Sequence, residues 1–373
     1  MTPWIICSFT LIVVLVLDRL ESKYVKSLLD WFPAILFAYV IPAIVTHVGS
    51  FDFSAHYIHD FSKTYLIPIA ILTVMSSLSI KQLRAMGWKP ILVFVSGSLW
   101  IALFPILFII VFWGSDLVSN TFQEATYWKG IPPIIGSWIG GSTSQLILKE
   151  LVDCPEGLFL NILIVDNILV NIWTILMFQS IKRTDFLNAK FKISNQQNPV
   201  DIPKSNGNTL PLWLVFTVLV AGVMIVNLIS EQLIVKIILL SGIGLGLSNG
   251  IGKWPFEFVL KLGSILIILV MAVLGLKLKF GFIEMNLSFL LFLIIWLIGH
   301  FGFMLLVARL LHINMVWVPI ASMANVGGIA TAPAVTAAYE QKWMPHAIIL
   351  AVLSMATGTF WGMLTIFLLR LYF

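Results

Sequence analysis

The chain has 373 residues, of which 60% are hydrophobic and only 10% are Asp, Glu, Lys or Arg, and its mean hydropathy is +1.01. A soluble domain carries about 25% charged residues, so the composition excludes an ordinary cytosolic enzyme and a disordered chain and points to a chain written for lipid. The net charge of +5 comes from basic residues scattered between apolar runs, which is the flanking pattern of membrane helices and not the clustered patch a nucleic-acid binder needs.

Windows of about 20 residues, the length that crosses a hydrocarbon core, predict twelve spans. Six fall at 2–18, 31–50, 64–81, 90–113, 130–150 and 157–179, and six at 210–229, 232–250, 256–280, 288–310, 315–338 and 344–370. The only long polar stretch runs from Ser180 to Asn208, where Lys182, Arg183, Asp185, Lys190, Lys192, Gln196, Gln197, Asp201 and Lys204 keep the chain out of lipid. The expected organisation is a first repeat at 1–179, a linker at 180–209 and a second repeat at 210–373. Ile5 to Leu17 has the length of a signal-peptide core, but no Lys or Arg precedes it and no small-residue cleavage site follows, so a retained first helix is the reading taken. Arg19, Lys23, Lys26, Lys81, Arg84 and Lys89 outweigh Lys63 and Lys129 and place their side in the cytoplasm; the basic linker runs against that trend. Cys7 and Cys154 are isolated, so neither a disulfide framework nor a metal site is expected, and no cofactor is.

The chemistry is expected where the apolar pattern breaks. The span at 130–150 reads Gly136-Ser-Trp-Ile-Gly-Gly-Ser-Thr-Ser-Gln145 behind Pro132 and Pro133, and the span at 315–338 reads Asn325-Val-Gly-Gly-Ile-Ala-Thr-Ala-Pro-Ala334. Unpaired backbone in hydrocarbon costs several kcal/mol, so a break survives only in protein or against a polar cavity. Half-helix ends at such a break offer N–H groups to an anion and carbonyls to a cation. Gly140-Gly141 aligns on Gly327-Gly328 with an offset of 187, which also carries 157–179 onto the last span. Gly/Pro-interrupted segments in corresponding positions of two halves point to a transporter's substrate site.

The expected substrate-binding set in the first break is therefore Ser137, Trp138, Gly140, Gly141, Ser142, Thr143, Ser144 and Gln145, with Asn325, Gly327, Gly328 and Thr331 in the second. Bulky residues at Gly141 or Gly328 are expected to fill the space the backbone leaves for a ligand. Asp166 is the one carboxylate at the centre of a span, with Asn167 and Asn171 on the same helix. These three, with Ser354 and Thr357 in the last span, form the expected coupling group for Na⁺ or H⁺. The offset places Leu353, Ser354 and Gly358 opposite Asp166, Asn167 and Asn171, so the coupling charge is asymmetric. His300 is either a proton carrier or a satisfied interhelical hydrogen-bonder. The zinc-protease pattern HExxH and the serine-hydrolase pattern GxSxG are both absent, so no enzyme is expected.

Gly136-Ser-Trp-Ile-Gly-Gly with Lys149-Glu150, Val165-Asp-Asn167 with Asn171-Ile-Trp173, and Ala324-Asn-Val-Gly-Gly together resemble the YjcL-like family of bacterial integral membrane proteins, a domain of unknown function. That family is more distantly similar to cation/proton antiporters, bile-acid/sodium symporters and glutamate/sodium symporters. The resemblance implies an all-α polytopic fold of about 12 transmembrane helices (11 to 13) in two repeats. Two discontinuous crossing helices would sit in a core domain beside a scaffold domain. It also implies a homodimer through the scaffold helices and the bacterial inner membrane. Inverted repeats would require an odd separation in spans, whereas the alignment separates the halves by six. The function expected is secondary active transport of a small polar or anionic organic solute coupled to H⁺ or Na⁺; the alternative is a cation/proton antiporter with ions as the only substrates.

Overall fold

The computed structural model describes residues 3–20, 22, 24, 34–53, 55–124, 126–193, 209–277, 286–337, 339–340 and 343–373. Among the described residues all regular structure is helical. In chain order it comprises α1 (Pro3–Arg19), α2 (Ala34–Val48), α3 (Ile67–Met75), α4 (Ile80–Met86), α5 (Trp88–Val111), α6 (Ile131–Ile135), α7 (Gly141–Leu151) and α8 (Glu156–Lys182). There follow α9 (Thr184–Lys190), α10 (Leu212–Ile229), α11 (Leu233–Gly250), α12 (Phe256–Gly275), α13 (Leu287–Leu310), α14 (Trp317–Val326), α15 (Gly328–Ala337) and α16 (Met344–Leu369).

Six of these, α5, α8, α10, α12, α13 and α16, are long and apolar enough to cross a membrane, and a seventh results if Ile58–Met75 and α4 count as one bent span. Shorter apolar helices cover Pro3–Leu17, Phe37–Val48 and Val235–Gly250. The chain is thus an all-helical integral membrane protein. The described residues of each expected span include helix, but length and apolarity return six or seven crossings and not the expected twelve, because three of the helices are short and three spans are interrupted.

The span expected at 64–81 is one of the interrupted ones. A π turn at Ser62–Leu66 precedes α3, which ends at Met75. The Ser76 and Ser77 hydroxyls then donate to the carbonyls of Thr73 (2.9 Å) and Val74 (2.7 Å), which are local bonds that compete with helix continuation.

Two compact units divide the chain, and each draws on both sides of the linker. The first comprises Met1–Leu78, Pro155–Ile168 and Asn206–Ile283. Its core packs Ile6 and Cys7 of α1 against Ile58 and against Ala272, Val273 and Leu276 at the end of α12. The carbonyls left free past α3 are served from the α11 region: Trp254 Nε1 donates to Ser76 O at 2.9 Å and Asn249 Nδ2 to Leu78 O at 3.1 Å. Tyr39 donates its hydroxyl to Glu156 Oε2 at 2.6 Å, fixing α2 on the start of α8.

The second unit comprises Ser79–Cys154, Leu169–Ser205 and Glu284–Phe373. Here α5 and α13 are zipped by rings, with Phe108 on Phe292 (5.0 Å), Phe104 on Trp296 (6.2 Å) and Trp100 on Phe303 (5.4 Å). Within the polar stretch 180–209, α8 runs on to Lys182 and α9 folds as a short helix. Asn188 of α9 is buried, accepts from Met315 N (2.8 Å) and donates to Asn314 Oδ1 (2.8 Å), which secures the start of α14. The expected linker residues Gln196, Gln197, Asp201 and Lys204, and the loop residues Lys23 and Lys26, lie outside the described residues.

Candidate functional site

Both expected breaks are present, and both lie in the second unit. Pro132 and Pro133 sit in the first turn of α6, where a missing N–H is not needed. The helix widens into a π turn at Gly136–Gly140, the kind of local insertion that often marks functional positions. Gly140 then takes φ −125° and Gly141 takes φ 68°, ψ −166°. That second combination belongs to glycine almost alone, because a Cβ would collide with its own backbone. The chain restarts as α7 with no side-chain cap on its N–H groups.

The second break has the same form. Gly327 closes α14 by donating its N–H to Met323 O at 2.9 Å, and Gly328 opens α15 with φ 65°. The two positive-φ glycines stand 187 residues apart, the offset the sequence alignment predicts. Beyond its chain neighbours and its own helix backbone, no described atom lies within 4 Å of a Cβ built at Gly141 or Gly328, so a side chain there would enter open space, and the positive φ adds backbone strain to it.

Ser354 of α16 ties the breaks together. Its hydroxyl donates in close contact to Ile139 O, the carbonyl just before the first break, and lies 3.4 Å from Asn325 Oδ1 just before the second. Asn325 is 1% exposed, and its amide is satisfied at both ends. Its Nδ2 donates to Phe94 O (3.2 Å), a group that can only accept, so Oδ1 faces the Ser98 hydroxyl at 2.9 Å and Ser354. One turn along α16, a Cβ at Gly358 would run into the Gly140 backbone and reach 2.8 Å from Ile139 C. A backbone approach this close admits no side chain.

Two hydroxyls at the breaks are left over. Thr143 Oγ1 in α7 and Thr331 Oγ1 in α15 are buried without a hydrogen-bond partner. Ser144 is taken, receiving Thr359 Oγ1 at 2.9 Å. Ser137 and Ser142 are half-buried and Gln145 is buried. Trp138 is fully buried and packs on Trp296 at 4.7 Å, as a ring inside the protein. Thr357 donates to Leu353 O of its own helix at 3.0 Å.

His300 sits in a closed hydrogen-bond chain. Its Nδ1 lies 3.2 Å from Gly97 O, which can only accept, so this nitrogen carries the proton and Nε2 accepts from the Ser322 hydroxyl at 3.1 Å. The Ser322 oxygen in turn receives Trp173 Nε1 at 3.0 Å. The neutral ring satisfies every member of the chain. Ser322→Ala would orphan two buried groups, Trp173 Nε1 and His300 Nε2, at about 1–3 kcal/mol for each. The expected result is a clearly lower melting temperature in detergent, and an unchanged one would remove Ser322 from the packing of α8 on α14.

The remaining expected coupling residues lie on α8. Asp166 is 6% exposed. Asp166 and Asn167 belong to the part of α8 counted with the first unit, and Asn171 to the part counted with the second. Ser98, Ser322 and Thr359 escaped the sequence reading. Ser322 is a lone hydroxyl in an apolar run, and the usable signal for the other two was the hydroxyl-Gly-hydroxyl pattern of Ser96-Gly-Ser98 and Thr357-Gly-Thr359.

No curated protein and no solved structure matches the chain. One family model does, over residues 4–223 and 255–371, leaving the end of α10, all of α11 and the extreme termini outside the match. The chain therefore belongs to the DUF819 family, which is described as a protein of unknown function.

Proposed function

We propose that this protein is a secondary active transporter that moves a small polar or anionic organic solute through the paired breaks by alternating access, coupled to H⁺ or Na⁺. The observation that carries the reading is the pair of helix breaks at Gly140-Gly141 and Gly327-Gly328, joined through Ser354. Two breaks of the same form, one offset apart, match the way transporters build a midplane site from discontinuous helices. The uncapped start of α7 supplies N–H groups and partial positive charge to an anionic group. The unpartnered Thr143 and Thr331 hydroxyls, one at each break, supply polar contacts to the rest of the solute. Amino acids, peptides and carboxylates are the classes that fit such a site.

Asp166 supplies the coupling charge in this reading. It stands two turns before Trp173 on the continuous helix α8, and a carboxylate at mid-span is costly enough that its retention argues for use. His300 is a structural residue, given its closed hydrogen-bond set. Core and scaffold domains, two repeats and residence in a bacterial inner membrane complete the proposal.

The test is charge movement on a solid-supported membrane carrying reconstituted protein. The protein is challenged with pooled amino acids, peptides, sugar acids and carboxylates, with and without Na⁺ and across pH. A current that needs both an organic pool and a cation is the expected result. Current from Na⁺ or pH jumps alone would replace the reading with an ion-only antiporter.

A further inference from the structure

The first unit contains a cavity of about 480 Å³ that the transport reading does not use, lined by Thr64, Tyr65, Asn227, Glu231 and Lys236. It lies where α10 ends and α11 begins, against the π turn Ser62–Leu66. Pro68, four residues on, has no N–H to give Thr64 O, and Asn227 Nδ2 takes that carbonyl at 2.9 Å. That bond turns Asn227 Oδ1 into an acceptor with no donor.

Lys236 is the unusual member. It is 6% exposed, and its ammonium has no hydrogen-bond or ion-pair partner among the described residues. Glu231 lines the same cavity without forming an ion pair with it. The side chain is packed away while Nζ itself stays open to the cavity, and an ammonium with no protein partner there attracts an anion. Of the cavity's other polar groups, the Glu231 carboxylate and Asn227 Oδ1 can only accept and complement an N–H cation, while the Thr64 and Tyr65 hydroxyls can serve either role. An occupant therefore carries a phosphate-like anion and a primary ammonium a few atoms apart.

The flank of the cavity names the source of such a group. Met224 and Leu228 line it, and they are 52% and 89% exposed on α10, whose Ile225 and Ile229 are also exposed. An apolar helix face ending at a polar pocket at the helix terminus is the profile of acyl chains below a headgroup, and basic pockets between membrane helices bind lipid headgroups. We propose that this cavity seats the phosphoethanolamine headgroup of a membrane phospholipid, with phosphate on Lys236 and ammonium between Glu231 and Asn227 Oδ1. A choline headgroup has no N–H and cannot donate to Asn227 Oδ1.

The test uses delipidated full-length protein in detergent, with dioctanoyl phosphatidylethanolamine, the matching phosphatidylcholine and soluble O-phosphoethanolamine as probes. Thermal shift and native mass spectrometry are the readouts. The ethanolamine lipid is expected to raise the melting temperature more than the choline lipid. Lys236→Met should lose about tenfold or more in apparent affinity, the equivalent of one charge-assisted contact, while Lys236→Arg keeps the shift. In the absence of lipid, Lys236→Met should melt no lower than wild type, because it removes an ammonium that has no protein partner among the described residues and keeps the packed stem. Glu231→Gln should narrow the preference for ethanolamine over choline, and it carries the test by itself if Lys236→Met does not fold. Equal shifts from both lipids in the wild type, or an undiminished shift in Lys236→Met, would overturn the proposal. An equal shift from soluble O-phosphoethanolamine would overturn the lipid as the source.

Discussion

Asp166→Asn is expected to abolish cation-coupled current in reconstituted protein while leaving expression and folding intact. The substitution keeps the shape of the side chain and removes the charge from the centre of α8, where Asp166 is 6% exposed. A charge-assisted contact is worth about 1.5–3 kcal/mol, so affinity for the coupling ion should fall roughly ten- to a hundredfold. Folding should not suffer, since an amide is cheaper to bury than a carboxylate. Normal coupled transport by Asp166→Asn would remove this residue from the mechanism and leave the broken helices to be explained without it.

Gly141→Val and Gly328→Val are expected to block transport, and the structure makes the reason testable. At φ 68° and 65° any L side chain is strained, at about 1–3 kcal/mol and more when β-branched. Because that strain falls on any side chain even where the Cβ points into open space, Gly141→Ala and Gly328→Ala should already weaken solute affinity, roughly five- to a hundredfold. Gly157→Ala is the control. Its Cβ also meets nothing within 4 Å, its φ is ordinary, and it sits in the first turn of α8. A crowding mechanism would instead spare the alanine variants and penalise only valine. Wild-type substrate affinity in both valine variants would sink the broken-helix site.

Much of the fold was legible because lipid constrains sequence so strongly. A chain that must satisfy every backbone group internally writes long apolar runs, and six or seven of the twelve expected are helices long and apolar enough to cross. The breaks were legible for the same reason, since Gly-Gly and Pro in an apolar run have few other uses. Which helices are long enough to cross was not legible. Ser76 and Ser77 end α3 through hydrogen bonds to carbonyls three residues back, and hydropathy does not register such local competition.

The site divides in the same way. From the sequence by itself came the membrane class, the positions of the two breaks, their offset of 187 and the single mid-span carboxylate. Each is a departure from an otherwise apolar pattern and so stands out along one dimension. Only the tertiary structure decided that Ser354 joins the breaks, that Asn325 is held by Ser98 and Phe94, and that His300 is closed into a chain with Ser322 and Trp173. It alone also placed an unpaired Lys236 at a cavity. The physical reason is that hydrogen bonds between helices pair residues more than a hundred positions apart, or from different turns of packed helices. A lone hydroxyl or lysine looks the same in sequence whether it meets a partner, a ligand or nothing.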